Sequence, residues 1–416
     1  MEANVSSTME EEEKIILVAV ATPDCDDTLQ SLDELEDLGQ TAGAKTVAKV
    51  IQNREKVHPG TYIGKGKIAE VRALIQSTGA DAVVCDDELS PAQNHNLEEA
   101  LDIKVIDRTV LILDIFAQRA STSEGKLQVE LAQLRYRLSH LTGERSGLSR
   151  LGGGIGTRGP GEQKLEMDRR IIRQRITQLR KELANVKHTR ELTRRKRQEN
   201  HIPVTAITGY TNAGKSTLLN KITDAGVLSE DKLFATLDPV TRKYEFENGG
   251  IMLFTDTVGF IRKLPHHLIQ AFRGTLEEAK YADIILHVAD CSNPDMDAQM
   301  QAVYETLDKL GIDDKKIVTA FNKTDLKDGD MVFKDLRADR TVMVSAKKGT
   351  GIKELLDVLE EMAKEEKHLI DKVFPYSEAA KINEIHRTGQ IIEEDYRNEG
   401  IYIKAHVPKE YVYMFE

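Results

Sequence analysis

The sequence predicts an α/β protein in which a doubly wound parallel sheet is preceded by a small α/β domain and a long antiparallel helical hairpin. Apolar runs alternate with helical stretches at the start of the chain and again after Ile202, as in parallel sheets. Between these regions, apolar residues recur three and four positions apart, which is typical of packed helices. We therefore expect four parts, residues 1–119, 120–200, 201–369 and 370–416.

Residues 1–119 are predicted to form the small α/β domain. Its predicted strands are Lys14–Val20, Lys45–Gln52, Asp81–Cys85 and Ile103–Asp107. Its predicted helices are Thr28–Ala42 and Ile68–Ser77. Because strands alternate with helices, we expect a parallel sheet in this part as well.

Two long helices joined by a glycine-rich connection are predicted next. The apolar residues with heptad spacing form two runs, Leu127, Leu131, Leu134, Leu138 and Leu141, then Leu165, Ile172, Ile176, Leu179, Leu183 and Val186. The connection, Arg150–Glu162, holds six glycines and one proline in thirteen residues, a composition that disfavours a helix. We therefore expect an antiparallel hairpin with its own apolar core and a flexible tip.

Residues 201–369 are predicted to form the larger, doubly wound parallel sheet. Its apolar runs are Val204–Thr208, Ile251–Thr255, Ile284–Ala289, Lys316–Phe321 and Thr341–Val344. Helical stretches separate these runs, as in a sheet covered on both faces. The last part, residues 370–416, predicts a small α+β segment with a helix at Glu378–Thr388 and alternating apolar residues at Ile401–Val407.

The composition limits the classes to which this chain can belong. Cys25, Cys85 and Cys291 lie far apart without a C-x-x-C pair, so neither a disulfide framework nor a zinc site is indicated. Met1–Glu13 lacks the order of a signal peptide, and no apolar run approaches the roughly 20 residues that cross a bilayer. We expect a cytoplasmic monomer without a transmembrane segment.

The charge is unevenly distributed along the chain. The formal net charge is −11, yet Glu124–Asn200 holds 19 Lys and Arg against 9 Asp and Glu. A basic hairpin in an otherwise acidic chain suits contact with nucleic-acid phosphates. A solvated helical face is the alternative interpretation of the same charges.

A phosphate-binding loop is predicted directly after the first strand of the larger sheet. The segment between that strand and the next helix matches G-x-x-x-x-G-K-[ST]. Its residues are Gly209, Tyr210, Thr211, Asn212, Ala213, Gly214, Lys215, Ser216 and Thr217. In such loops, backbone amides and the helix N-terminus bind phosphate oxygens. We expect Lys215 to span the β and γ phosphates and Ser216 to bind Mg²⁺.

A second motif, D-x-x-G, follows the run Ile251–Thr255. Its residues are Asp256, Thr257, Val258 and Gly259. Asp256 is expected near the magnesium ion, and the amide of Gly259 near the γ phosphate. The next residue, Phe260, cannot orient the attacking water by hydrogen bonding. We therefore expect slow basal hydrolysis that needs a partner, a reordered switch or a monovalent cation; Asn212 could bind K⁺, although an ordinary loop asparagine is an equal alternative.

A first switch segment is predicted between these two motifs. Its residues are Phe234, Ala235, Thr236, Leu237 and Asp238. We favour Thr236 over Thr241 as the threonine that binds Mg²⁺ when the γ phosphate is present. The predicted magnesium ligands are therefore Ser216, Thr236 and Asp256, and the candidate catalytic residues are Lys215, Thr236 and Gly259.

Two further motifs predict a guanine pocket. They follow the last two runs of the larger sheet and comprise Asn322, Lys323, Thr324 and Asp325, then Ser345, Ala346 and Lys347. The carboxylate of Asp325 can accept hydrogen bonds from guanine N1 and N2, which adenine cannot donate. Lys323 is expected along the base, and backbone amides of the last motif near guanine O6. Four motifs in this order predict a P-loop GTPase that binds GTP and GDP.

Longer strings around these motifs resemble the HflX family, in the Obg-HflX group of GTPases. The strings are Gly209–Ser216, Phe234–Pro239, Asp256–Glu278, Arg150–Glu162 and His58–Lys67, so the resemblance covers nearly the whole chain. It implies binding to the large ribosomal subunit and its rRNA, with splitting or rescue of ribosomes under stress. It also implies that the glycine-rich loop enters the peptidyl-transferase region. The expected RNA-binding residues are Arg145, Arg150, Gly152, Gly153, Gly154 and Arg158.

Two other functions stay open at this point. The N-terminal domain of the family has been linked to ATP use and RNA unwinding, which would make the chain an ATP-dependent RNA-remodelling enzyme. However, Gly64–Lys67 lacks a Walker A pattern, and a turn before a helix explains it better. The other alternative is a signalling GTPase whose basic hairpin binds a protein.

Overall fold

The chain forms two compact units. The first comprises Met1–Leu183 and Arg262–Ala271, and the second comprises Ala184–Ile261 and Phe272–Glu416. The four-part division predicted from the sequence stays a prediction. The structure is a computed structural model that describes residues 12–23, 27–141, 160–199, 202–223, 233–234, 236–247, 249–265, 278–312, 314–327, 333–365 and 367–415.

The first unit contains a four-stranded parallel sheet. Its elements are β1 (Glu13–Ala21), α1 (Thr28–Thr41), β2 (Ala44–Asn53), α2 (Lys65–Thr78), β3 (Ala82–Cys85), α3 (Pro91–Leu101), β4 (Lys104–Asp107) and α4 (Arg108–Arg119). The strands lie in the order β2-β1-β3-β4. All side chains from Ile15 to Val20 are buried, as expected for a central parallel strand. The chain order reverses between β1 and β3, and ligands bind at the carboxyl ends of such strands.

Three helices of this unit differ from the sequence prediction. α2 begins at Lys65 rather than Ile68, so the lysines of the G-K-G-K string lie in its first turn. α3 is not predicted, because its few apolar residues hide its period, although Ser90 and Gln93 form a capping box at its N-terminus. α4 is not predicted either, because its nearly continuous apolar run fits a strand as well as a helix.

Two long helices follow, α5 (Ser123–His140) and α6 (Pro160–Glu199). They pack through a small core in which Leu131, Ile176 and Leu179 are buried. Arg175 on α6 also makes hydrogen bonds of 2.7 and 2.8 Å to the carboxylate of Glu130 on α5. α6 begins at Pro160, inside the predicted glycine-rich connection, and proline favours the first turn of a helix because its φ is already helical. The predicted connection between 151 and 159 lies outside the described residues.

The second unit contains a six-stranded sheet. Its elements are β5 (Val204–Gly209), α7 (Lys215–Thr223), β6 (Val240–Glu245), β7 (Ile251–Asp256), β8 (Ile284–Asp290), α8 (Met296–Lys309), β9 (Lys316–Asn322), β10 (Arg340–Met343) and α9 (Ile352–Lys364). The strand order is β10-β9-β8-β5-β7-β6, and all neighbours are parallel except β6 and β7. Leu355 and Leu359 of α9 and Leu218 of α7 pack into its core. This mostly parallel sheet confirms the predicted fold class.

A smaller antiparallel sheet ends the second unit. Its elements are β11 (Lys367–Phe374), α10 (Ala379–Thr388), β12 (Gln390–Arg397) and β13 (Gly400–Pro408). The strand order is β11-β13-β12, and Phe374, Ile385 and Ile403 are fully buried between sheet and helix. Within the described ranges, no helix of the protein is long and apolar enough to cross a membrane.

Candidate nucleotide site

The phosphate-binding loop connects β5 to α7. Gly209 ends β5 with a φ of +151°, and a Cβ there would come within 2.3 Å of the carbonyl oxygen of Val288 on β8. Glycine is required for so close an approach of two backbones. Asn212 has a φ of +59°, which asparagine tolerates better than most residues. Because α7 begins at Lys215, the loop amides and the helix N-terminus face the same place.

The side chain of Lys215 is held inside this loop. Its Nζ donates to the carbonyl oxygens of Gly209 at 3.1 Å and Tyr210 at 2.7 Å. An ammonium has three N–H donors, so the third can reach a phosphate oxygen. Burial lowers the pKa of Lys215 to about 8, although the negative charge of Asp256 acts in the opposite direction. A phosphate anion beside this group would favour its protonated form.

Three side-chain oxygens converge near Lys215. Ser216 Oγ lies 2.7 Å from Asp256 Oδ2 and 2.8 Å from Thr236 Oγ1, and the latter lies 3.0 Å from Asp256 Oδ2. Asp256 is 0% exposed, and no donor among the described residues reaches its Oδ1. Burial raises the pKa of Asp256, while Lys215 and the two hydroxyls act to lower it. Among the described residues, the second oxygen of this carboxylate therefore has no hydrogen-bond donor.

This set of oxygens fits Mg²⁺. Magnesium is held in nucleotide sites by hard oxygen ligands, usually one or two carboxylates together with substrate phosphates. One carboxylate with an unsatisfied oxygen and two hydroxyls supply such ligands. Thr241, the other candidate of the first switch, instead pairs its Oγ1 with Thr255 Oγ1 at 3.0 Å. The structure thus brings Thr236 to Ser216 and Asp256.

The D-x-x-G segment lies directly beside the phosphate loop. The N–H of Phe260 donates to the carbonyl of Gly209 at 3.1 Å, and its carbonyl accepts from the N–H of Thr211 at 2.7 Å. A Cβ on Gly259 would come within 2.8 Å of Thr211 Cγ2 and 3.1 Å of Lys215 Nζ. Gly259 therefore lies where its backbone can contact a phosphate bound by Lys215. The side chain of Phe260 is buried and apolar, so it offers no hydrogen bond to water.

Asn322 connects the phosphate loop to both base motifs. Its Nδ2 donates to the carbonyl of Ala213 at 2.8 Å, and its Oδ1 accepts from the N–H of Ala346 at 2.9 Å. A Cβ on Gly214 would come within 2.3 Å of Asn322 Nδ2. One buried amide therefore fixes the distance between the phosphate end and the base end of the site.

Lys323 and Asp325 lie at the end of β9. Lys323 Nζ is 2.7 Å from Asp290 Oδ2, at the end of β8. The Asp325 carboxylate accepts a hydrogen bond of 2.6 Å from Ser345 Oγ, and this bond lowers the pKa of Asp325. Asp325 is therefore charged and oriented at neutral pH. Asp290 is not among the predicted site residues, although its position directly after an apolar run could have indicated it.

Most of the predicted nucleotide-site residues lie at one edge of the six-stranded sheet. Thr324 joins them there through a hydrogen bond of 3.0 Å from its Oγ1 to the carbonyl of Val344. Phe234 and Leu237 of the first switch are buried, whereas Ala235 lies outside the described residues. The predicted RNA-binding residues also lie outside them; these are Arg145, Arg150, Gly152, Gly153, Gly154 and Arg158.

Three family models match successive parts of the chain. The models described as GTP-binding GTPase N-terminal and GTP-binding GTPase Middle Region match residues 29–117 and 119–197. The model described as 50S ribosome-binding GTPase matches residues 204–323. This last match spans the phosphate loop, the first switch, D-x-x-G and the start of the first base motif.

Curated relatives match almost the entire chain. A GTPase HflX of Lacrimispora saccharolytica is 61% identical over 399 residues, which are 96% of this chain and 94% of the relative. A GTPase HflX of Caldanaerobacter subterraneus is 47% identical over 97% of this chain and 94% of the relative. A solved GTP-binding protein of Sulfolobus solfataricus in complex with GDP is 24% identical with a TM-score of 0.43, and covers 85% of this chain and 99% of that one. From the identity to the curated relatives, this chain belongs to the HflX family of GTPases and hydrolyses GTP.

Proposed function

We propose that this GTPase binds the large ribosomal subunit and its rRNA as a GTP-driven switch, and that it splits or rescues ribosomes stalled under stress. The observation that carries the proposal is the basic surface of α6. Among the side chains that the structure describes on this helix, the exposed cations include Arg170, Arg173, Arg180, Lys181 and Lys187. Cations presented along a helix suit the phosphates of RNA. The match to a 50S ribosome-binding GTPase model supports the same partner.

The nucleotide site offers a means of switching. Thr236 and Gly259 belong to the two segments beside the phosphate loop, and both would contact the γ phosphate side of GTP. Loss of that phosphate on hydrolysis would release both segments and lower the affinity for the ribosome. Ser216, Thr236 and Asp256 would hold Mg²⁺, which supplies charge stabilisation at the phosphates when bound. Lys215 would orient the β and γ phosphates for the same reaction.

The basal rate of hydrolysis should be slow. Phe260 occupies the position at which a water-orienting side chain would lie, and it cannot hydrogen-bond to water. We propose that the ribosome stimulates the reaction and that K⁺ near Asn212 is a second activating cation. Single-turnover rates in potassium and in sodium test the role of the cation, and identical rates would exclude it.

The alternative of an ATP-dependent RNA-remodelling enzyme would need a second nucleotide site in residues 1–119. The glycine- and lysine-rich string there forms the first turn of α2, and Lys67 pairs with Glu70 at 2.8 Å within that helix. No specific feature of the described residues favours this function or the signalling GTPase. Deleting residues 1–119 would separate the functions, because unwinding should vanish while GTP hydrolysis need not.

Cosedimentation with purified ribosomal subunits tests the proposal. We expect the protein to pellet with the large subunit in a non-hydrolysable GTP analogue, and to pellet less in GDP or without nucleotide. Deletion of Gly152–Gly161 should weaken the binding, because it removes the tip of the predicted hairpin. Equal binding in all three nucleotide states, or a preference for the small subunit, would contradict the proposal.

The salt dependence of this binding tests the role of α6. Replacing Arg170, Arg173 and Lys181 with alanine should reduce the slope of log affinity against log salt by about two to three, because each phosphate contact contributes roughly 0.7 to 0.9. A matched variant removes three exposed cations of the second unit, Lys243, Arg340 and Lys353. We expect this control to keep the original slope. If the α6 variant also keeps it, RNA is not the partner of this surface.

A further inference from the structure

A buried cluster of charges fills the crevice at the carboxyl ends of β1 and β3 in the first unit. Asp86, directly after β3, is 0% exposed, and Arg108, the first residue of α4, is 1% exposed. Arg108 Nη1 donates to Asp86 Oδ1 at 2.7 Å, and the same guanidinium pairs with Glu34. Ser31 Oγ donates to Asp86 Oδ2, also at 2.7 Å. This crevice is the place at which an open α/β sheet binds ligands.

The group that enters this crevice is a lysine of the same chain. Lys263 Nζ lies 2.5 Å from Asp86 Oδ2 and 2.9 Å from Asp87 Oδ1. The preceding residue, Arg262, places its Nη1 3.4 Å from Asp27 Oδ2, at the start of α1. Both cations belong to the first unit, although D-x-x-G ends at Gly259, only a few residues earlier. The segment after D-x-x-G is thus tied to the sheet of the first unit.

The charges of the cluster favour this contact. Burial alone would raise the pKa of Asp86, but the charges of Arg108 and Lys263 prevail and lower it. Burial would likewise lower the pKa of Lys263, but Asp86 and Asp87 prevail and raise it. Both groups are therefore charged, and a broken contact would leave part of a buried charge uncompensated.

The backbone of Lys263 gives a second, independent sign of constraint. Its φ is +51°, in the left-handed region that L-residues with long side chains rarely adopt. Such conformations persist where the surrounding contacts fix them, and they often occur at functional sites. The ion pairs with Asp86 and Asp87 are contacts of this kind. The first unit therefore sets the conformation of the chain at Lys263.

We propose that Lys263 is a positioning residue for GTP hydrolysis, and that its ion pairs with Asp86 and Asp87 hold the segment carrying Gly259 against the phosphate loop. Only three residues separate Gly259 from Lys263, so the position of one restricts the other. The first of these three, Phe260, is already hydrogen-bonded to the phosphate loop on both sides. This inference rests on GTP hydrolysis, which the family shows, and does not depend on ribosome binding.

The direction of the effect follows from the arrangement of the first switch. While Lys263 is held by the two aspartates, Thr236 lies within 3.0 Å of both Ser216 Oγ and Asp256 Oδ2. The ion pairs therefore accompany the arrangement in which the proposed magnesium ligands converge. Loss of these ion pairs should lower the population of that arrangement and hence kcat.

Steady-state GTPase assays on full-length Lys263→Met test the proposal. We expect kcat to fall about tenfold, the middle of the range for residues that couple two regions without contacting ligand. The KM for GTP and the Kd for GDP should change by less than about twofold, because the ion pairs of Lys263 among the described residues go to Asp86 and Asp87 and not to a nucleotide motif. Lys263→Arg keeps the positive charge and should restore most of kcat.

A matched control and a second site keep the test decisive. Lys316 is similarly exposed, 26% against 29% for Lys263, and pairs with Glu365 at 3.0 Å at the opposite end of the six-stranded sheet. Lys316→Met should leave kcat unchanged. Asp87→Asn keeps an oxygen that can accept the hydrogen bond from the hydroxyl of Tyr62. This substitution alone should lower kcat, but in the double variant with Lys263→Met it should cause no further loss of kcat. The proposal is overturned if Lys263→Met behaves like the control, or if the two losses multiply as for independent sites.

Discussion

The four-stranded sheet and the six-stranded sheet each place a fully buried aspartate at or just beyond the carboxyl end of a strand. The two aspartates differ in the groups that balance their negative charge. Asp86 contacts the cations of Arg108 and Lys263, whose charges lower its pKa despite burial. Asp256 accepts hydrogen bonds from two hydroxyls through one oxygen, and burial raises its pKa although the charge of Lys215 acts in the opposite direction. A crevice filled by the protein's own cations holds the chain in place. A crevice with an unsatisfied carboxylate oxygen can take an external cation.

Asp86→Asn should have the largest effect on folding. It leaves Arg108 and Lys263 facing a neutral amide in a buried place, and removing one partner of a buried ion pair costs about 3–5 kcal/mol. We expect the free energy of unfolding, measured by urea denaturation, to fall by this amount. A loss below about 1 kcal/mol would show that the buried cluster does not stabilise the first unit.

Asp256→Asn should show the reverse pattern. Asp256 forms no ion pair within 4.0 Å among the described residues, and burial raises its pKa despite the charge of Lys215, so the free energy of unfolding should stay the same or rise slightly when this buried charge is removed. The turnover of GTP should fall by about 10²–10³-fold, because a ligand to the proposed Mg²⁺ is lost. Denaturation and single-turnover assays on the same preparation measure both effects. If Asp256→Asn lowered the free energy of unfolding as much as Asp86→Asn, the proposed difference between the two buried aspartates would be wrong.

Asp325→Asn extends the comparison to an aspartate whose charge is proposed to bind guanine. The hydrogen bond from Ser345 should persist, because an amide oxygen also accepts. The acceptors for guanine N1 and N2 are weakened, so the preference for GDP over ADP should fall by about tenfold to a hundredfold. Calorimetry with both nucleotides measures the preference. An unchanged preference would mean that Asp325 does not select the base.

The smallest expected effect is the pH dependence of the stabilisation that Asp86 provides. Its pKa in the folded protein lies below the ordinary value of 3.8, so its stabilising contribution is present at higher pH and is lost as the pH falls below that value. The neighbouring charges of Glu34, Asp87, Arg108 and Lys263 remain in the variant.

The stability gap between wild type and Asp86→Asn should therefore narrow by at most about 1.4 kcal/mol per pH unit in acid. Urea denaturation between neutral pH and about pH 3 measures the gap. A gap that stays constant over this range would mean that the charge of Asp86 is not what stabilises the cluster.

The nucleotide motifs could be predicted because each is local in sequence and ends a buried strand. Parallel strands present their carboxyl ends at one edge, so Lys215, Asp256 and Asn322 had to come together once the sheet was recognised. The fold class followed from the same alternation of apolar runs. β6 escaped prediction because it is an edge strand with charged residues on both faces, Arg242 and Lys243, which interrupt its apolar alternation.

The contacts of Lys263 could not be predicted from any local pattern. It lies 177 positions from Asp86, and nothing in either neighbourhood indicates a partner so distant in the chain. The same holds for Asp290 and Lys323, since their pairing depends on the adjacency of β8 and β9. Periodicity and turn chemistry indicate short-range preferences, whereas ion pairs between distant residues form only once the sheet has assembled.

The bond between Asn322 and Ala213 restricts how this protein could be altered by evolution or by protein engineering. The amide of Asn322 occupies the space that any side chain at position 214 would need. A substitution at one of these two positions therefore constrains which residues the other can carry. Larger residues at either place would separate the phosphate loop from the guanine pocket. A search for variants that use another nucleotide should therefore leave Gly214 and Asn322 alone and explore Asp325.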